Sequence, residues 1–178
     1  FLIDLQYLNH LDVQNNDFNQ SQIPNSIGSL SNLIHLDLKF ANFGTNIPFH
    51  LGNLSSLQYL DLSWNNFNNP ENLEWLPQLS SLRYLDMSSV NLSKVNNWLQ
   101  VVNKLPYLTS LHLESCNLPS IFSVWLVNSS TSLHSLDLSD NSLTSSSSVL
   151  QWLFNFNTSV VKLDLRFNQF HGLIPDGF

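Results

Sequence analysis

Leucines recur along this chain in a unit longer than any single helix turn or strand pair requires. The unit reads L-x-x-L-x-x-L-x-L-x-x-N-x-L/F and returns every 24 to 27 residues. Leu5, Leu8, Leu11, Val13, Asn16 and Phe18 form the first copy, and Leu54, Leu57, Leu60, Leu62, Asn65 and Phe67 the clearest. Within each copy the L-x-L stretch alternates apolar and polar positions, which predicts a short half-buried strand. Copies beginning near Leu5, Leu30, Leu54, Leu79, Leu105, Ser130 and Asn157 make seven coils. The last two lack the first leucine and keep the rest: Leu133, Leu136, Leu138, Asn141 and Leu143, then Val160, Leu163, Leu165, Asn168 and Phe170.

The second halves of the coils differ. Coils 1, 2 and 7 carry Ile23-Pro24, Ile47-Pro48 and Ile174-Pro175. Proline gives up a backbone donor and fixes an extended or early-helical φ. Coils 3 to 6 lack the pair and read as more helical. Residues 72–76 and the set Val95, Trp98, Leu99 and Val102, spaced i, i+3, i+4, i+7, carry that expectation. The run Ser145 to Ser148 reads as a turn ahead of an apolar segment, Val149 to Phe154.

A period of this length is that of a leucine-rich-repeat solenoid, one coil per period. The expected fold is an α/β repeat: a right-handed solenoid of about seven repeats with a parallel concave sheet. Each coil cannot bury its leucines alone, so it must stack, and the stack presents a long curved surface. Adjacent strands would lie about 4.8 Å apart. Each fully buried leucine contributes roughly 1.5–3 kcal/mol.

The asparagine column follows from the turn after each strand, where backbone groups face inward. A buried amide both donates and accepts there. Asn16, Asn65, Asn141 and Asn168 fill the column, while Ala41, Val90 and Cys116 replace it. An unpaired buried group costs about 1–3 kcal/mol, so a water or a shifted turn is expected at coils 2 and 4.

Composition narrows the function classes. At 178 residues the chain is one domain by length. Charged residues are scarce, at 11%, and the net charge is −7. That balance argues against nucleic acid, which favours a basic face, and against an anionic lipid surface. No apolar run approaches the roughly 18 residues of a membrane span. No Cys-paired cap is visible at either end, so residues 1–178 read as one repeat domain cut from a longer protein, with both caps missing. Enzyme signatures are absent: no Gly-rich phosphate loop, no nucleophile elbow and no paired Cys motif. The one cysteine, Cys116, falls in the asparagine column and is expected to be buried. The six histidines show no close ligand spacing, so no metal and no cofactor is expected.

The wording N-x-F-x-x-x-x-I-P-x-x-I/L-G-x-L resembles the plant extracellular subclass of leucine-rich repeats. The stretches at residues 61–63, 91–94, 97–106 and 113–120 resemble plant receptor-like proteins of the type that perceives fungal elicitors such as xylanase. The resemblance implies a cell-surface glycoprotein with an ectodomain, one membrane span and a short tail, signalling through partner kinases in defence. The full-length protein would then lie on the extracellular side of the plasma membrane, held there by a segment outside this chain. Its partners would be a protein or peptide ligand, such as a microbial elicitor, and a receptor-kinase co-receptor. Receptor kinases share such ectodomains, and similar plant repeat proteins act as secreted inhibitors of microbial cell-wall-degrading enzymes. Both remain alternatives, as does an inactive spacer.

Solvent-facing strand positions fall in columns. One reads His10, His35, Tyr59, Tyr84, Ser110, Ser135, Lys162, and another Asn15, Phe40, Trp64, Ser89, Ser115, Asp140, Phe167. Exposed aromatics are typical anchors for a protein partner. His10, His35, Phe40, Tyr59, Trp64 and Tyr84 are therefore the candidate ligand-binding residues. The competing reading is that these rings simply pack against cross-strand neighbours. Between the strand leucines runs an acidic column: Asp12, Asp37, Asp61, Asp86, His112, Asp137, Asp164. Neighbours at that separation repel by about 0.9 kcal/mol even in water. Backbone hydrogen bonds are expected to absorb this charge, making the column part of the scaffold. Arg83 and Arg166 read as isolated surface charges. Sequons place candidate glycans on Asn19, Asn53, Asn91, Asn128 and Asn157. In so Asn- and Ser-rich a chain these are compatible with secretion without demonstrating it.

Overall fold

The computed structural model describes residues 4–120, 132–145, 148–155 and 160–173. Seven short strands pair in parallel in sequence order: β1 (His10–Asp12), β2 (His35–Asp37), β4 (Tyr59–Asp61), β6 (Tyr84–Asp86), β7 (Ser110–His112), β8 (Ser135–Asp137) and β9 (Lys162–Asp164). The register is uniform. Leu11, Leu36, Leu60, Leu85, Leu111, Leu136 and Leu163 face one another in a single row. Parallel pairing extends beyond the strands, as the amides of Leu38, Leu62, Met87, Leu113 and Leu138 each donate to the carbonyl of the next coil's strand-end residue.

The L-x-x-L spacing before each strand has a local cause. Leu33, Leu57 and Leu82 donate back to the carbonyls of Leu30, Leu54 and Leu79, closing a tight turn that sends both leucines inward. These leucines are fully buried, and among the described residues they belong to one core cluster that reaches from Ile23 to Trp152. Leu5 and Leu163, in the first and seventh coils, are partly exposed.

A second, two-stranded parallel sheet joins β3 (Gly44–Thr45) to β5 (Asn66–Phe67), and Thr144 bridges Gln169 in the same sense. No alternating apolar pattern announces it. It forms because the stacked coils bring the backbone after the asparagine turn into register.

The outer halves vary. The Ile-Pro coils carry 3-10 turns at Asn25–Ser29 and Phe49–Asn53, which lie against each other. A Cβ at Gly28 would run into the backbone carbonyl of His50, so only glycine permits that approach. Coil 4 forms the expected helix, α1 (Trp98–Val102), and coil 6 forms α2 (Ser148–Asn155). Coil 3 departs from expectation: its outer segment holds only a 3-10 turn, Leu76–Gln78, with Pro77 at its start. Proline cannot donate to an extending helix, while Leu73, Trp75 and Leu76 still fill the core. The outer segment of coil 5 and the Ile174-Pro175 pair lie outside the described residues.

Candidate functional site

The turn that follows each strand shapes the inner face. Asn15, Phe40, Trp64, Ser89, Ser115, Asp140 and Phe167 all adopt φ between 49° and 66°. This left-handed conformation costs roughly 1–2 kcal/mol for a residue with a Cβ. It is held because the amide of each of the first six donates to the carbonyl of a residue in the next coil, as from Phe40 to Ser63 and from Trp64 to Ser88. The same turn throws Phe40 and Trp64 onto the surface, 46% and 39% exposed, with their rings stacked at 5.3 Å.

The asparagine column completes the turn. Asn65 donates to the carbonyls of Leu38, Leu62 and Ser63 and accepts from the amide of Phe43. Asn141 donates to Leu113, Leu138 and Ser139 and accepts from Cys116 and Leu118. Asn168 repeats the pattern against coil 6. Asn16, in the first coil, is exposed and donates only to Val13 and Gln14 of its own turn. Where the column is broken, neighbours compensate. The Leu38 carbonyl beside Ala41 is taken by Asn65, and Val90 donates back to Met87 in a closed turn. The Cys116 thiol donates to the Met87 carbonyl, and burial pushes its pKa up, which removes it as a nucleophile.

The aromatic column is a continuous stack. Ring centroids lie 4.0 Å apart from His10 to His35, 4.0 Å from His35 to Tyr59, and 4.3 Å from Tyr59 to Tyr84, with planes within 13° of parallel. The row does not stop at Tyr84. His112, which the sequence places in the acidic column, leans against Tyr84 at 5.2 Å. Diagonal cross-strand reach, rather than column membership, was the signal that would have found it. The rings turn their faces to each other, so their edges and polar atoms meet whatever enters the concavity. Burial and the neighbouring carboxylates raise both tyrosine pKa values, so the phenols stay protonated. Burial first, and His10 second, lower the pKa of His35.

The acidic column is scaffold. Asp12, Asp37, Asp61, Asp86, Asp137 and Asp164 each accept, through Oδ1, the backbone amide two residues on. In coil 5, where His112 replaces the acid, the Glu114 amide donates to the Ser88 hydroxyl instead. Asp61, only 2% exposed and flanked by two like carboxylates, has its pKa pushed up to about 6, chiefly by burial, against the opposing Ser63 hydrogen bond. Arg166 is not isolated: its guanidinium pairs with both oxygens of Asp164. Arg83 sits over the Tyr107 ring at 5.9 Å.

The sequon residues Asn19 and Asn53 are exposed and Asn91 is half-buried, while Asn128 and Asn157 lie outside the described residues. Among the described residues no three His, Cys, Asp or Glu side chains are placed to share a metal ion, and no helix is long and apolar enough to cross a membrane.

A parallel inner sheet, an asparagine ladder and one coil per period define a leucine-rich-repeat scaffold, and the leucine-rich repeat region family matches residues 2–171. The chain belongs to that family. Its sequence is similar to plant receptor-like proteins. Over 99% of its length it is 44% identical to "Receptor-like protein EIX1" of Solanum lycopersicum, and it spans 17% of that protein. Among solved structures, a TDR receptor is 28% identical at a TM-score of 0.66, with 99% of this chain and 33% of that one covered. The ectodomain of the Arabidopsis thaliana membrane receptor kinase GASSHO1/SCHENGEN3, solved in complex with Casparian strip integrity factor 2, is 27% identical at 0.65, with 94% and 19% covered.

Proposed function

We propose that this chain is a ligand-recognition segment of a plant cell-surface receptor-like protein in defence signalling, one part of a longer repeat array. A protein or peptide ligand docks on the concave face, and no chemistry is performed. The observation that carries the reading is the unbroken ring row, His10, His35, Tyr59 and Tyr84, together with the stacked, exposed Phe40 and Trp64 pair in the turns that follow two of the same strands. The rings are held by stacking before any ligand arrives, so little ordering entropy is lost on docking. The receptor-like relatives, and the receptor-kinase ectodomain solved in complex with Casparian strip integrity factor 2, support this reading. Under this reading Asn19, Asn53 and Asn91 carry glycans outside the ring rows, the full-length protein lies at the plasma membrane facing outward, and a receptor kinase serves as co-receptor.

The test is surface plasmon resonance of the immobilised chain against a fungal xylanase. The double variant Trp64→Ala, Tyr84→Ala is expected to weaken binding by at least about tenfold while leaving the circular dichroism spectrum unchanged. Equal affinity in the variant removes the aromatic face from consideration. Loss of xylanase activity on binding would favour the secreted-inhibitor alternative instead.

A further inference from the structure

The outer side of coils 1 to 3 holds a groove unrelated to the ring rows. It encloses about 600 Å³, within the roughly 300–1,000 Å³ typical of small-ligand sites. It has a local origin in the sequence. Three residues separate Phe43 from the next inward apolar side chain, Ile47, but five separate Phe67 from Leu73. The longer coil 3 loop, with Pro70 at its centre, stands away from the Ile47-Pro48 turn and leaves a trough between them.

The lining has a distinct chemistry. Gln22, Asn25, Asn46, Asn69 and Asn72 bring five carboxamides to it, all on exposed residues. The side chains of Gln22, Asn25 and Asn69 hydrogen-bond to no other described residue. Pro48 and Trp75 are buried and give the groove an apolar floor. Phe49 stands at the rim, 70% exposed. One face of its ring is covered by His50 at 4.0 Å, which holds the ring in place. Glu71 is the one charged residue in the lining, so nothing there attracts an anion.

From these observations we infer that the groove is a second binding site, and that its ligand is a neutral saccharide. Each carboxamide offers an acceptor and two donors, which matches sugar hydroxyls that donate and accept together. The ring face of Phe49, electron-rich at its centre, receives the C–H face of a pyranose. An anionic sugar would meet Glu71 unpaired. An apolar peptide anchor would bury the carboxamides without partners, at about 1–3 kcal/mol each. The saccharide has two sources: a free wall-type oligosaccharide, or the chain's own glycan on Asn53, which ends the same 3-10 turn that carries Phe49.

The chain is produced in a glycosylating host and is then stripped by an endoglycosidase. Isothermal titration calorimetry follows with cellohexaose, a high-mannose oligosaccharide and trigalacturonate. The stripped chain is expected to bind a neutral sugar, with Phe49→Ala weakening it about fivefold and Asn69→Ala by a similar factor. Ser135→Ala, on the inner sheet, leaves it unchanged. If the glycosylated chain binds added sugar only after Asn53→Gln, the occupant is its own glycan, and if it binds without that change, the occupant is free. Absence of binding by either neutral sugar at millimolar concentration overturns the proposal. So does binding indifferent to Phe49→Ala, or preference for trigalacturonate.

Discussion

Coils 1 to 4 and coils 5 to 7 share one backbone and present two different faces. The strand leucines keep register from Leu11 to Leu163. Yet the position that holds His10, His35, Tyr59 and Tyr84 in the first four coils holds Ser110, Ser135 and Lys162 in the last three. The left-handed turn position varies independently at nearly constant φ, with rings at Phe40, Trp64 and Phe167 and polar residues at Asn15, Ser89, Ser115 and Asp140. A coil needs its inward leucines, its asparagine or a substitute, and the carboxylate or hydroxyl that receives the next amide. Everything else on the inner face is free to vary, which is how one scaffold carries an aromatic region beside a polar one.

The strongest way to break this comparison is to attack the shared core from both sides. Leu60→Ala in the aromatic region and Leu136→Ala in the polar region should each destabilise the chain by about 3 kcal/mol, because both leucines are buried and bounded by coils on either side. Urea unfolding checks this, and a large loss at one site only would show that the two regions are not one cooperative core. The second test concerns the buried acid. Asp61 titrates higher in the folded chain, near 6, than the 3.8 of an unperturbed aspartate, so folding is favoured while it is protonated. Stability should therefore fall as pH rises from about 4 to about 6, by roughly 2 kcal/mol from this group, and level off above. Thermal melts of Asp61→Asn across that window should lack the fall.

Two smaller effects sharpen the boundary between the faces. Ser110→Tyr places a ring opposite Tyr84 in the strand register and should extend the stack, stabilising by about 0.5–1 kcal/mol. An unchanged urea midpoint would mean that His112 already caps the row. Phe40→Asn puts a residue tolerant of positive φ where coil 1 already has Asn15. Stability should rise by a few tenths of a kcal/mol, the relief of strain being partly offset by the lost Trp64 stack. A large loss would mean that the Phe40 ring contributes more to the scaffold than its exposure indicates.

The repeating unit was legible in the sequence because each of its residues answers to a force acting within one coil or on its immediate neighbour. The leucines must leave water, the asparagine must satisfy the turn's carbonyls, and the aspartate must meet an amide two residues on. Those needs recur with the period, so register, parallel pairing, the buried Cys116 and the stacked columns could be written down in advance. Three features were decided only by the packed molecule. His112 joins the ring row because neighbouring strands bring it diagonally beside Tyr84. The β3–β5 pairing exists because stacked coils align backbone that has no pattern of its own. The groove beneath Phe49 exists because one loop is longer than the loop above it, and a difference in length becomes a space only once both coils are in place.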